Sequence, residues 1–418
     1  MSDKVRSVAL EALRAVADRD AYVNLLLPSM LRERGITGRD AALATELVHG
    51  TLRWRGTYDA VLRHLTGERE IEPAVLDALR LGCHQLLSMR VPDHAAVSTT
   101  VDLVRSVAGA RAVGFANAVL RRVADHDLTT WSDLLTTEAD PDTALSIRTS
   151  HPVWIVRAMR DAVGPDGDLE ALLRANNVPP AVTLVARPGL IDPDELPGGP
   201  GRLSPYARIL DSGDPADIPA VADGRAGVQD EGSQAVAIAV AEASIDGADD
   251  RWIDLCAGPG GKSALLGALA AQRGASLIAN EVQPHRAELV RSAVATLSNV
   301  EVTVHDGREG PWEPRSFDRV LVDAPCTGLG ALRRRPEARW RRQPGDLDQL
   351  VPLQTALLAR ALELVRPGGV VGYATCSPHQ SETHGVLRAV GVEPYATQQL
   401  WPHVDGTDAM FVALIRGR

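Results

Sequence analysis

Lysine is almost missing from this chain. Of 44 basic residues only two, Lys4 and Lys262, are lysines, and arginine carries the rest of the positive charge. A compact ammonium and a broad guanidinium are not interchangeable. Lys262, in a glycine-rich turn, suggests a role that the broader guanidinium cannot fill, with chance retention as the alternative. Cysteine is scarce as well. Cys83, Cys256, Cys326 and Cys376 are scattered and form no Cys-x-x-Cys pair, which argues against a disulfide framework or a zinc site. No apolar run approaches the ~18 residues of a membrane span. The start, Met-Ser-Asp-Lys-Val-Arg, has no apolar signal core. A cytoplasmic protein without membrane or metal partners is expected.

Two nucleotide fingerprints are absent too. The only turn of that kind, Asp254-Leu-Cys-Ala-Gly-Pro-Gly-Gly-Lys-Ser263, is neither G-x-G-x-x-G nor a Walker loop, which counts against NAD and ATP.

What is present reads as globular. The 418 residues are 45 % hydrophobic and 23 % charged, enough for two or three domains. The net charge of −10 argues weakly against a nucleic-acid partner, but binding depends on local patches. One patch stands out: Leu332-Arg-Arg-Arg-Pro-Glu-Ala-Arg-Trp-Arg-Arg342 holds six arginines, Arg333, Arg334, Arg335, Arg339, Arg341 and Arg342, against one acid. It reads as a phosphate-gripping run or as a solvated surface loop.

Apolar residues recur at helical spacing from residue 5 to about 130, punctuated by Gly35, Gly38, Gly67, Pro92 and Gly109. This predicts an all-α domain over 1–130, with a further helical stretch from Pro152 to Asn176. Residues 177–225 are rich in Pro and Gly, and 144–226 is expected to be a small α+β connector or N-terminal extension of the catalytic region. From about 227 strand-like and helical runs alternate, which predicts a mostly parallel, doubly wound sheet in an α/β domain over 227–418.

Chemistry in such sheets gathers at the carboxyl ends of the strands. Two thiols stand there, in Asp323-Ala-Pro-Cys326 and Thr375-Cys376-Ser377. Beside a carboxylate they suggest thiolate catalysis; position alone leaves two small buried hydrophobes equally open. The glycine turn offers close backbone approach and helix N–H groups to an anion. Glu281, Asp306 and Asp323 close successive strands. Together these fit S-adenosylmethionine: the turn Cys256, Ala257, Gly258, Pro259, Gly260, Gly261 and Lys262 for the methionine carboxylate, Glu281 for the ribose, Asp306 for the adenine. The thiols of Cys83 and Cys256 are read as packing.

At these residues the chain resembles the bacterial 16S rRNA cytosine-5 methyltransferases of the Sun/Fmu (RsmB) type, within the NOL1/NOP2/Sun family. The segments are Gly227-Val-Gln-Asp-Glu-Gly-Ser-Gln234, the turn to Lys262, Asp323-Ala-Pro-Cys326-Thr-Gly-Leu-Gly, the arginine run to Trp340, and Tyr373-Ala-Thr-Cys376-Ser. Val91-Pro-Asp-His-Ala-Ala-Val and Gly114-Phe-Ala-Asn-Ala-Val-Leu-Arg-Arg122 are similar to the NusB-like RNA-binding front of that branch. The resemblance implies a NusB-like all-α front, the connector and a Rossmann-like S-adenosylmethionine domain. Three places depart from the pattern: Gln380-Ser-Glu-Thr-His-Gly385 where Glu-Asn-Glu is common, Asp408-Ala-Met-Phe411, and Glu281 in place of Asp.

The resemblance further implies methylation of cytosine carbon 5 in small-subunit rRNA. Cys376 would be the nucleophile at carbon 6, Cys326 would act in release, Asp323 would bind the N3/N4 edge of the base, and Lys262 would neutralise charge nearby. Phosphates would meet the arginine run. Another RNA such as tRNA, and a non-catalytic RNA-binding or assembly protein, are the alternatives. Nothing in the sequence demands an oligomer.

Overall fold

The computed structural model describes residues 3–19, 22–67, 69–89 and 91–418. The chain forms two compact units, each built from two stretches: Met1–Val178 with Leu332–Gln343, and Pro179–Ala331 with Pro344–Arg418.

Helices α1 (Lys4–Arg19), α2 (Val23–Glu33), α3 (Gly38–Thr66), α4 (Pro73–Leu87), α5 (Asp93–Ala108), α6 (Ala110–Val123), α7 (Leu128–Thr136), α8 (Pro141–Thr149), α9 (Val153–Val163) and α10 (Leu169–Ala175) come first. The second unit opens with β1 (Val182–Ala186), β2 (Gly199–Pro200), β3 (Ala207–Leu210), α11 (Pro219–Ala222) and β4 (Ala226–Val228). It continues with α12 (Glu231–Glu242), β5 (Arg251–Asp254), α13 (Gly261–Gln272), β6 (Ser276–Asn280), α14 (Pro284–Val294), β7 (Val300–Thr303) and β8 (Phe317–Asp323). The chain then returns to the first unit for α15 (Ala338–Arg341). The second unit closes with α16 (Leu347–Leu364), β9 (Val365–Thr375), α17 (His384–Val390), β10 (Ala396–Gln399) and β11 (Phe411–Arg416).

The helical unit packs around a core that includes Leu13, Leu47, Tyr58, Leu79, Leu103, Leu120 and Trp131. Asp127 and Asp140 cap α7 and α8, each accepting a first-turn N–H, and Gly109 (φ +73°) turns the chain between α5 and α6. The expected boundary at 130 is not where this unit ends. Trp131 buries its indole and donates to the Val123 carbonyl at 2.9 Å. Thr57 of α3 donates to the Ile147 carbonyl at 2.6 Å. These bonds tie α7 and α8 to the unit, which runs on to Val178.

The second unit holds two sheets. The smaller, ordered β2-β3-β1-β4, is antiparallel. It is joined to the helices that follow it: Gln234 of α12 donates to the Leu184 carbonyl at 3.3 Å and Val185 joins the core of α12 and α13. The larger sheet has seven strands in the order β10-β11-β9-β8-β5-β6-β7. Strands β7 to β9 by way of β5 are parallel, and β11 and β10 close one edge antiparallel. Its near-continuous apolar strands are buried on both faces, as parallel strands with helical crossovers must be. One face packs on Leu357, Leu358 and Leu364 of α16. The other packs on Val236, Val240, Leu265 and Leu269 of α12 and α13.

Candidate active site

Parallel order sends the ends of β5, β6, β8 and β9 to one edge of the sheet, and the residues picked out from the sequence collect there. The turn after β5 is held from below by Asp254. This fully buried acid accepts the Ser263 hydroxyl at 2.7 Å and the Cys256 N–H at 3.2 Å. Burial pushes its carboxyl up to about 7, against the Ser263 hydrogen bond and with help from the Asp323 charge.

Above it the glycines have specific reasons. A Cβ at Gly258 would overlap the Glu281 carboxylate, whose Oε2 accepts the Gly258 N–H at 3.1 Å. Gly260 has φ +110° and would press Ala293 and Val290 if it carried a side chain. The turn thus reaches the N-terminus of α13, which no side chain caps, a setting suited to an anion. Glu281 is buried; its other oxygen accepts the Gln283 N–H at 2.9 Å, and Arg286 stands 3.5 Å away. Asp306 is more exposed and receives the Arg308 guanidinium, whose hydrogen bonds hold the carboxyl below the usual range. Gln229 went unnoticed in the sequence. Its Oε1 is buried with no hydrogen-bond partner among the described residues, and its carboxamide lies against Gly261. An acceptor left waiting beside an anion cradle suits the ammonium of an amino acid.

Lys262, the first-turn residue of α13, reaches across to β8. Its Nζ donates to Asp323 Oδ2 at 2.8 Å. Burial alone would lower the ammonium, but Asp323 outweighs it and holds the group above its ordinary value.

The two thiols meet: Cys326 Sγ and Cys376 Sγ are 3.4 Å apart. The hydrogen bond between them, then burial, then the charges of Cys376 and Glu382 push the Cys326 thiol well above its usual range. Cys256 is also pushed well up, by burial first and then by the nearby acids, as a packing thiol would be. Cys83 is fully buried in the helical core.

Glu382 is a second residue the sequence did not single out. Fully buried, it accepts the Thr327 N–H at 2.8 Å and Gln354 Nε2 at 3.0 Å. A lone acid six residues after Cys376, inside the stretch that departs from Glu-Asn-Glu, was the available signal.

The arginine run requires a correction. It is not a solvated loop of six surface cations. Arg339 has no exposure, and its guanidinium donates to the carbonyls of Arg53 (3.0 Å), Ser150 (3.1 Å) and Asn176 (2.7 Å) and to Asn177 Oδ1 (2.7 Å). A group so enclosed has nothing left for a phosphate. Arg333 is buried, Arg335 and Arg341 lie over the Tyr22 ring, and Arg334 alone of the six is exposed. Trp340 donates to the Leu52 carbonyl at 2.7 Å, in room left by Gly56.

Among the described residues no group of three or more His, Cys, Asp or Glu is placed to hold a metal, and no helix is long and apolar enough to cross a membrane.

A seven-stranded, mostly parallel sheet with a glycine turn after its first strand and acids at its strand tips is the fold of an S-adenosylmethionine-dependent methyltransferase. Comparison with known proteins narrows this. Residues 246–393 match the model of the 16S rRNA methyltransferase RsmB/F family, and residues 3–125 match the NusB family. Rv1407 of Mycobacterium tuberculosis (strain ATCC 25618 / H37Rv), provisionally named a methyltransferase, is 50 % identical over 99 % of this chain and 96 % of its own. Ribosomal RNA small subunit methyltransferase B of Pseudomonas putida is 32 % identical over 92 % of this chain and 88 % of its own. The crystal structure of PH0851 shares the fold at a TM-score of 0.78 and 20 % identity, covering 100 % of this chain and 99 % of that one. The chain belongs to the RsmB/F family of methyltransferases, with a NusB-type helical front, and its cofactor is S-adenosylmethionine.

Proposed function

We propose that this protein methylates carbon 5 of a cytosine in small-subunit rRNA through a covalent thiolate adduct. The observation that carries the reading is the pair of thiols 3.4 Å apart, at the same sheet edge as the Lys262–Asp323 ion pair. Cytosine carbon 5 is a poor nucleophile. A thiolate adding at carbon 6 makes it an enamine carbon, and this is work for Cys376. S-Adenosylmethionine supplies the methyl group. It would be held by the turn from Cys256 to Lys262, with Gln229 at its ammonium, Glu281 at the ribose and Asp306 at the adenine. Cys326 serves the second half: its sulfur, as thiolate, takes the carbon-5 proton, and the electrons of that C–H bond expel the Cys376 thiolate from carbon 6. Asp323 takes the N3/N4 edge of the base, and Lys262 steadies that carboxylate.

The target base must be unstacked for attack on its face. The substrate assignment is supported by the name of the Pseudomonas putida relative and by the NusB-type front. Of the arginine run, Arg334, Arg335, Arg341 and Arg342 remain the candidates for phosphate.

The test is methyl transfer from labelled S-adenosylmethionine to unmodified small-subunit rRNA, followed by digestion to nucleosides. Label is expected in 5-methylcytidine. Cys376→Ala should abolish it, while Cys326→Ala should accumulate a protein–RNA adduct stable to denaturing gels. Swapped phenotypes would reverse the two assignments, and label in another nucleoside would sink the cytosine reading.

A further inference from the structure

Glu382 lies in the turn after β9 with no exposure, and among the described residues none of its hydrogen-bond partners is a cation. Oε1 takes the Thr327 N–H and the Gln354 amide; Oε2 takes the Thr327 hydroxyl. That hydroxyl oxygen lies 3.0 Å from Ser377 Oγ, and Gln354 Nε2 also reaches the Pro325 carbonyl at 2.8 Å. Pro325 and Thr327 flank Cys326, and Ser377 follows Cys376. Three of the four neighbours of the two thiols are therefore on one network centred on one carboxylate. The fourth, Thr375, is tied to the same turn through its hydroxyl, which donates to the Ser377 carbonyl at 2.8 Å. The far end of the turn is fixed as well: the Tyr373 hydroxyl donates to the Glu382 carbonyl at 2.7 Å.

Burying a carboxylate without a cation costs several kcal/mol, and a neutral side chain of similar shape would hold a turn at less cost. A charge kept there acts on what surrounds it. We propose that Glu382 is the positioning residue of the thiol pair: it fixes the Cys326 segment against the Cys376 segment, and its charge separates the roles of the two sulfurs. The inference rests on the two-thiol reading above. The Glu382 charge works with burial to hold Cys326 as a thiol, whereas Cys376 interacts electrostatically with the Lys262 ammonium.

The experiment uses the full chain without RNA or cofactor. Glu382→Gln keeps the shape and loses the charge. Alkylation by iodoacetamide is followed across pH and assigned to each cysteine by mass spectrometry. Cys326 is expected to label about tenfold more in the variant at a fixed alkaline pH, the effect of one pKa unit, with melting temperature and S-adenosylmethionine affinity unchanged. A folded variant with the wild-type Cys326 profile overturns the electrostatic role.

Thr327→Val keeps the acid and removes only the bridging hydroxyl. The rate at which diamide oxidises Cys326 and Cys376 to a disulfide should fall about tenfold, since thiol exchange depends on access and alignment. Crosslinking at the wild-type rate overturns the positioning role, and this variant stands in if Glu382→Gln does not fold. Neither readout involves methyl transfer. A wild-type protein that makes no 5-methylcytidine would sink the proposed reaction and leave these outcomes standing.

Discussion

Lys262 Nζ lies 2.8 Å from Asp323 Oδ2, so one of the two lysines in the chain bridges the glycine turn and the strand that leads to Cys326. Its side chain is 11 % exposed and that of Asp323 24 %. The pair is shielded enough for the charge to matter, yet the carboxylate is open on one side to a ligand. A guanidinium would satisfy Asp323 in charge but not in shape, because its planar fork is broader than an ammonium.

Lys262→Arg is therefore expected to fold normally and to lose activity by roughly two orders of magnitude, the cost of moving a catalytic group by about an ångström. Single-turnover methyl transfer beside a melting curve checks it. Activity within twofold of wild type would show that charge alone suffices at this position.

Arg339→Met should be costly in a different way. Four oxygens lose their donor, and each buried unsatisfied acceptor costs roughly 1–3 kcal/mol before relaxation. A loss on the order of 3 kcal/mol of unfolding free energy is expected. In protein that remains folded, the dependence of RNA affinity on salt should not change, while Arg334→Gln should lower the slope by about 0.7 to 0.9. A reduced slope in Arg339→Met would return that residue to the phosphate contacts.

Acid should weaken the helical unit. His151 is buried with its Nδ1 at the Thr149 carbonyl (2.8 Å), and burial first, then the Arg339 charge, holds its pKa well below the usual value. His49 is lowered to about 4, by burial and then Arg53. A base with a depressed folded pKa leaves the unfolded state binding more protons below about pH 6.5. The stability it contributes is complete above that pH and is lost as the pH falls toward the folded value. For His151 the slope is up to roughly 1.4 kcal/mol per pH unit. His151→Asn keeps a donor for Thr149 and cannot titrate. Denaturant unfolding at pH 7.5 and 5.0 should show a smaller loss in the variant, and equal losses would rule His151 out as the source.

The sheet and its strand-tip residues were legible because their determinants are local. Apolar runs, a glycine turn and Pro-Gly stops are written in consecutive residues, and strand ends follow from them. The same logic failed at Arg339. Six arginines in eleven residues have the composition of a surface, and the acceptors that draw Arg339 inside come from positions 53, 150, 176 and 177, which no window on the sequence joins. Glu382 escaped for a like reason. Its meaning lies in Thr327, some 55 residues earlier. The compact unit runs on past residue 130 because Asp127 and Asp140, in a stretch of polar composition, are helix caps and Trp131 is core.

The excursion of residues 332–343 into the helical unit bears on how this protein can be cut. A fragment ending at Val178 would keep the carbonyls of Arg53, Ser150 and Asn176 and lose the guanidinium that joins them. It would also open the slot that Trp340 fills beside Gly56. The front of the chain is thus not a detachable cassette. Its last structural piece is encoded some 150 residues downstream, immediately after the loop that carries Cys326, and the ribosome must finish most of the catalytic unit before the helical one can be completed.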